Sequence, residues 1–404
     1  MLGLLRLAFR NVLRHQSRTL LVALVAAYVV VATLVYLGLM DAYADSVRRA
    51  HARYIWAPVV VAKAAWFSDP SPEHGLDRPG LKAKIEGGLG RPVAERLLFS
   101  ALLSSPYKNE GLEVLGVDPR AEPRLSEVPK KVAEGRWLEK SGEVVLGERL
   151  ARRLDVRLGE RIVVSTAQLA GPKALGLKVV GLLRARVSNV DRYGVYLTLK
   201  DARRLTGLPT ATYLAVDAPL GEEPRVAREV QRLLPPGYAA KEVWELVGPI
   251  KTDVELGIAF ARVFGWLLAL LSALAVTTTL YVSVLERTRE LGVIEALGMT
   301  PGRLAMLVTL EGALAAALGW GLGLVLGYAI LYYAHTHNVL GPLFALSGEV
   351  WPEAGLFEVV YTPVRAVYAL SASSVLVTAA LFALLFPARR VMRTDPASAL
   401  RWEA

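Results

Sequence analysis

The sequence predicts an α-helical membrane protein with four transmembrane helices and a large extracytoplasmic α+β domain inserted between the first and the second. Three observations carry that prediction. The chain of 404 residues is 53% hydrophobic, too apolar for an ordinary soluble enzyme. Four runs reach the length of about 20 apolar residues that spans a bilayer. Between the first two of them lies a long segment whose texture is that of a water-soluble mixed domain.

The four runs are nearly free of charge. Thr19–Met40, Val263–Leu285 and Ala366–Ala388 contain no Asp, Glu, Lys or Arg, and Leu304–Ala334 contains only Glu311. The first run is too long for a signal peptide and lacks an evident small-residue cleavage site. Ahead of it, residues 2–18 set Leu4, Leu5, Ala8, Phe9, Val12 and Leu13 against a basic stripe of Arg6, Arg10, Arg14 and Arg18. Such a helix can lie in the membrane interface; the other reading is a basic extension of the first span.

The short flanks set the orientation. Arg6, Arg10, Arg14 and Arg18 precede the first span, and Arg389, Arg390, Arg393 and Arg401 follow the last, whereas residues 335–363 hold no Lys or Arg. The positive-inside rule therefore places both termini in the cytoplasm of a multi-pass cell-membrane protein. The resulting order is a cytoplasmic amphipathic helix (1–18), a span (19–40), the extracytoplasmic domain (41–258) and a second span (259–285). A cytoplasmic loop (286–303), a third span (304–334), an outer loop (335–363), a fourth span (364–388) and a cytoplasmic tail (389–404) complete it. Much of the net charge of +10 is thus topology and gives no support to nucleic-acid binding.

Within 41–258, β-like runs fall at Val59–Ala62, Leu112–Val117, Glu143–Leu146, Arg161–Ser165, Leu177–Leu183, Val195–Leu199 and Tyr213–Val216. Helical patterns lie at Glu148–Leu154, Lys200–Thr206 and Pro224–Leu234. Gly- and Pro-rich stretches at Asp69–Gly90 and Ala170–Gly176 read as loops.

The loop between the second and third spans is the most informative stretch. Charges appear abruptly at Glu286, Arg287, Arg289 and Glu290. Leu291, Ile294 and Leu297 then recur at helical spacing, with Glu295 on another face. Gly298 suits a C-cap, and Thr300-Pro301 restarts a helix. Glu311, eight residues after Arg303 and so only about 12 Å further along that helix, is placed to pair with Arg287, Arg289 or Arg303. Ala315, Gly319, Gly323 and Gly327 repeat every four residues and make a small-residue groove for close packing against another span of the chain.

Several chemistries are absent. No Gly is followed directly by Lys, so there is no phosphate-cradling Walker loop. There is no cysteine, which removes disulfides, thiolate metal sites and thiol nucleophiles. His335 and His337 read as solvated loop residues rather than metal ligands. The expectation is a chain that is not an enzyme and holds no cofactor or metal.

Residues 281–303, Tyr-Val-Ser-Val-Leu-Glu-Arg-Thr-Arg-Glu-Leu-Gly-Val-Ile-Glu-Ala-Leu-Gly-Met-Thr-Pro-Gly-Arg, closely resemble the loop between the second and third membrane helices in ABC transporter permeases of the MacB, FtsX and Lol class. The opening Leu7–Thr19 is similar to that class, as are Gly116–Pro119, Glu134–Leu138, Glu143–Val164 and the tail Pro387–Trp402. Asp155 stands where the class usually has Gly, and Glu160 where it often has Asp.

The resemblance implies a permease subunit that turns ATP-driven closure of a separate cytoplasmic ATPase, which carries ATP and Mg, into movement of the extracytoplasmic domain. Glu286, Arg287, Arg289, Glu290, Leu291, Ile294, Glu295, Leu297 and Gly298 would then form the coupling element. Arg389, Arg390, Asp395, Pro396 and Trp402 would give a tail contact with the ATPase; a basic tail lying on anionic headgroups is the other reading. A second permease chain, identical or not, membrane lipid and a periplasmic carrier or adaptor are the further partners implied. Lipoprotein or other envelope cargo fits best, with efflux of drugs or peptides, or activation of a cell-wall hydrolase, as alternatives.

Overall fold

A computed structural model describes residues 2–166, 171–350, 357 and 359–392. The chain divides into a helical unit (1–42, 254–337 and 361–404) and a sheet domain (43–253 and 338–360).

In chain order, α1 (Leu2–Arg14) breaks at His15, and α2 (Gln16–Ala50) continues into a π-helical turn, His51–Ile55. The sheet domain then lays down β1 (Val59–Lys63), α3 (Leu81–Leu89), β2 (Val93–Ser104), β3 (Asn109–Val117), β4 (Val132–Gly135) and β5 (Glu143–Gly147). It continues with α4 (Glu148–Leu154), β6 (Arg161–Thr166), β7 (Lys173–Leu183), α5 (Ser188–Tyr193), β8 (Val195–Thr198) and α6 (Leu199–Thr206). It ends with β9 (Tyr213–Val216), α7 (Glu223–Leu233), β10 (Tyr238–Glu242) and α8 (Val243–Leu246). The long helix α9 (Gly248–Glu286), the short α10 (Thr288–Ala296) and α11 (Pro301–Thr336) follow. Last come α12 (Gly341–Val350) and α13 (Val367–Met392).

Among the described residues three helical stretches are long and apolar enough to cross a membrane: Gln16–Ile55, Ile250–Glu286 and Pro301–Thr336. The described apolar part of α13, Val367–Thr378, is shorter, so the expected fourth span is not among them. The helices also overrun the expected limits of the spans. At 1.5 Å per residue the 35 residues of α2 extend about 52 Å, against a hydrocarbon core of about 30 Å.

Among the described residues ten strands form one sheet in the order β10-β1-β9-β2-β3-β8-β5-β7-β4, with β6 pairing both β2 and β7. The pairings β2-β3-β8-β5-β7-β6-β2 therefore close on themselves. Their interior is filled by Phe99, Leu103, Leu146, Ile162, Leu177 and Leu197 together with α4 and α6. A second core, built on β1, β9, α3 and α7, holds Val59, Ile85, Leu214, Val226 and Val230.

Seven strands fall where the periodicity predicts them; β2, β4 and β10 do not appear in that reading. Two expected loops are corrected. Asp69–Gly90 contains α3, whose flanking Gly80 and Gly90 take φ of +87° and +62°. Its Gly88 allows close approach to α7, since a Cβ there would lie 2.8 Å from Leu233. Residues 173–176, expected in a second loop, begin β7. Within 335–363, expected as an outer loop, α12 seats Phe344 edge-on against Tyr43 at 5.8 Å, and Phe357 packs on Tyr54 at 5.3 Å.

The helical unit is joined at its middle by small residues. A Cβ on Gly319 would lie 2.2 Å from the Ala23 carbonyl oxygen, and one on Gly323 2.8 Å from that of Ala27. Gly327 faces Leu34, and Ala315 is buried. The groove on α11 thus receives α2, backbone against backbone. Val30, Leu34, Leu331, Tyr368 and Ala372 pack α13 onto the same pair, while Val29, Ala269, Ala273 and Val375 bring in α9.

Candidate functional site: the α9–α11 loop and its polar cluster

The loop is built by its caps. Leu297 ends α10, and Gly298 at φ +98° reverses the chain, donating its N–H to the Glu295 carbonyl at 2.9 Å. Pro301 opens α11 in the first turn, where a missing N–H costs nothing. Thr300 occupies the N-cap, but its hydroxyl makes no capping bond.

One face of α10 is tied to its own chain. Leu291, 6% exposed, joins Val284, Leu304, Ala305 and Val308 in a small apolar cluster, with Ile294 and Met299 packed at its edge. The Arg287 side chain is 10% exposed and reaches α11, donating from Nη1 to Glu311 Oε2 at 2.9 Å and from Nε to Glu290 Oε2 at 3.2 Å. Glu311 also accepts from Asn11 Nδ2 of α1 at 2.5 Å. Arg18 pairs with Glu286 at the end of α9. His15, in the break between α1 and α2, is held below its ordinary pKa by burial first and then by the Arg287 and Arg18 charges. These residues surround a cavity of about 30 Å³, room for one or two waters.

The expected coupling residues therefore divide. Arg287 and Leu291 are turned into the helical unit, and Ile294 and Glu295 are half-buried. Arg289, Glu290 and Gly298 are exposed, and Leu297 is 83% exposed. Val293, 46% exposed, was not singled out by the spacing and shares the outer surface with Leu297. The apolar face predicted from Leu291, Ile294 and Leu297 is thus inward at its first member, because Leu304 and Val308 return beside it and cover it. For the tail, Arg389 and Arg390 lie on α13 with side chains outside the described set, and Asp395, Pro396 and Trp402 lie outside the described residues.

Sequence reasoning missed two polar fixtures. In the helical unit Asp41 of α2 accepts from Tyr368 Oη at 2.5 Å and pairs with Arg365 at 2.9 Å. In the sheet domain the π-turn that prolongs α2 is anchored by Arg53, which pairs with Asp217 at 2.7 Å and donates to the Ala218 carbonyl at 2.9 Å. Next to it Tyr54 Oη donates to Glu127 at 2.9 Å, and the Trp56 carbonyl accepts from Arg96. Arg96 is itself locked to Glu122, the two side chains being 3% and 1% exposed. The only signal for Asp41 is its place just beyond an apolar run, and Arg53, twelve residues further on, has none. His335 Nδ1 lies 2.9 Å from the Thr362 carbonyl, and no group able to hold a metal occurs among the described residues.

Residues 19–233 match the MacB-like periplasmic core domain and residues 262–396 the FtsX-like permease C-terminal domain. An uncharacterized ABC transporter permease of Mycobacterium tuberculosis is 26% identical over 97% of this chain and 98% of its own. The lipoprotein-releasing system transmembrane protein LolC of Neisseria meningitidis is 24% identical over 75% of this chain and 76% of its own. The extracellular domain of the noncanonic ABC-type transporter YknZ from Gram-positive bacteria covers 46% of this chain and 99% of its own, at 12% identity and a TM-score of 0.34. The chain belongs to the ABC transporter permeases that carry a MacB-like periplasmic core domain followed by an FtsX-like permease C-terminal domain.

Proposed function

We propose that this permease converts ATP-driven closure of a separate cytoplasmic ATPase into movement of its sheet domain, and that it neither binds nor hydrolyses ATP itself. In this reading α13 supplies a fourth span, both termini are cytoplasmic, the sheet domain is extracytoplasmic, and two permease chains pair around two ATPase copies. The observation that carries it is the loop: α10 offers Val293 and Leu297 outward while Arg287 and Leu291 grip α11 from behind. An element exposed on one side and ion-paired on the other can take a push and pass it on. Continuity of α2 into a π-turn held by Arg53 and Tyr54 supports transmission at the far end. The cargo proposed is a lipoprotein or another envelope component, from the likeness to LolC; efflux of drugs or peptides is the alternative.

The test is association with the ATPase. Leu297 touches the chain too little for its replacement to disturb the fold, so Leu297→Asp isolates the interface. Burying an unpaired carboxylate in a groove should cost more than about 2 kcal/mol of binding. Co-purification of the ATPase should fail and its permease-stimulated hydrolysis should vanish. Wild-type yield and stimulation from a Val293→Asp/Leu297→Asp chain would refute the coupling assignment.

A further inference from the structure

The sheet domain contains a cleft of about 480 Å³, within the range of small-molecule sites. Its floor is one row of side chains across four neighbouring strands. Leu98 of β2 lies opposite Leu115 of β3, Leu115 opposite Tyr196 of β8, and Tyr213 of β9 opposite Arg96, two residues before Leu98. The alternate residues of the same strands, Leu97, Val114, Leu197 and Leu214, are buried in the cores beneath the helices. One wall is the π-turn and Trp56; the other is α5 with Tyr193.

The rings are held by neighbouring side chains. Trp56 packs against Trp66 and Tyr213 with centroids 6.0 Å away in each case, and its carbonyl is held by Arg96. The Tyr54 hydroxyl is engaged by Glu127, and Tyr193 carries Arg153, itself paired with Glu110, at 5.2 Å from its ring centroid. Into this aromatic setting β3 projects Glu113. Its cross-strand neighbour is Ser100, and it forms no ion pair or hydrogen bond among the described residues. It is open to water on one side yet crowded by the cleft walls, which raise its pKa by desolvation alone.

We infer that the cleft is a binding site for an organic cation, an amine or quaternary ammonium, with its charge answered by Glu113 and its apolar part lying on Leu98 and Leu115. Aromatic faces attract cations, Trp most strongly. An anionic ligand finds no Lys or Arg on the lining. A neutral apolar ligand would desolvate Glu113 without compensation.

The experiment uses the full chain in lipid nanodiscs, without ATPase, so its outcome is independent of the coupling proposal. Calorimetric titration with benzyltriethylammonium should show saturable binding at one site per chain, while naphthalene-2-sulfonate of similar bulk should show none. Glu113→Gln, isosteric and at the open side of the cleft, should weaken the cation about tenfold, the order expected for a lost charged contact. Tyr193→Leu, on the opposite wall, should weaken it too. Absence of saturable cation binding, equal binding of the sulfonate, or unchanged affinity in Glu113→Gln would overturn the assignment.

Discussion

In the sheet domain charge is carried into the core: Arg96 and Glu122 form a bidentate pair with almost no exposure, and Glu143, 4% exposed, is held by Arg136. In the helical unit the middle of the packing is free of charge. Gly319 and Gly323 let α11 meet the backbone of α2, and the ion pairs stand away from that contact, at Arg287–Glu311 and at Asp41–Arg365. The difference follows from the solvent each unit excludes. Water rewards burial of apolar area in the sheet domain, and that gain can carry a costly ion pair. Lipid offers little such reward, so spans rely on close van der Waals fit. The first unit should therefore be vulnerable to unpairing charge, the second to adding volume.

The largest effect expected is from Arg96→Met. It leaves Glu122 buried without a partner and should destabilise the sheet domain by about 3–5 kcal/mol in chemical denaturation. The double variant Arg96→Met/Glu122→Leu should regain most of that loss. Equal damage from the single and double variants would show that packing, not charge, dominates there.

Next comes Gly323→Leu, whose first added carbon would already lie 2.7 Å from the Val30 side chain. Overpacking of this kind costs about 1–3 kcal/mol, read as a lowered thermal midpoint in detergent. Gly321→Ala, with nothing within 4 Å of the new carbon, should leave the midpoint within about 0.5 kcal/mol of the parent. Similar losses at both positions would break the comparison between the units.

A smaller, pH-dependent effect belongs to Glu143. Arg136 beside it, aided by the Glu139 and Lys140 N–H groups, lowers its pKa from 4.5 to about 2. The folded pKa is depressed, so the stabilisation is complete above about pH 4.5 and is lost as pH falls towards 2. Glu143→Gln should cost about 2 kcal/mol at pH 7 and should flatten the acid limb of the stability curve. An unchanged acid limb would remove Glu143 from the account. Smallest of all is Leu297→Ser, which should leave stability within about 0.5 kcal/mol of the parent while weakening only the ATPase complex.

What could be read from the sequence follows the same division. The apolar runs and the charged loop stand out because their physics is local: length, charge exclusion and caps. The small-residue repeat on α11 also implied a close neighbour, though not that the neighbour is α2. The strand β2 was invisible because Val93–Ser104 is buried on both faces along most of its length and mixes Leu and Ala with Glu95 and Arg96, leaving no alternation. Its pairing with β3, β6 and β9 decides its conformation, and that information is not local. The edge strand β10, Tyr-Ala-Ala-Lys-Glu, reads as helix-forming and is a strand because β1 pairs it. Asp155 shows the reverse case. It takes φ +52° at the C-cap of α4, a left-handed position that favours Gly.

The Arg287–Glu311 pair was foreseeable in kind, since a lone carboxylate near a span end seeks a cation. That Arg287 is thereby turned away from the loop's outer rim depends on how α9 and α11 meet, which spacing alone does not give.

In the proposed mechanism, ATP acting at the α10 loop moves the sheet domain. Its most direct test is a distance measured in a chain that has no native cysteine. Spin labels at Tyr107→Cys in the sheet domain and Tyr332→Cys on α11, sites 74% and 64% exposed, report one unit against the other. With the ATPase bound, addition of ATP should shift the distance distribution, and Leu297→Asp should abolish the shift. A complex that hydrolyses ATP at the wild-type rate while that distribution stays unchanged would contradict the account.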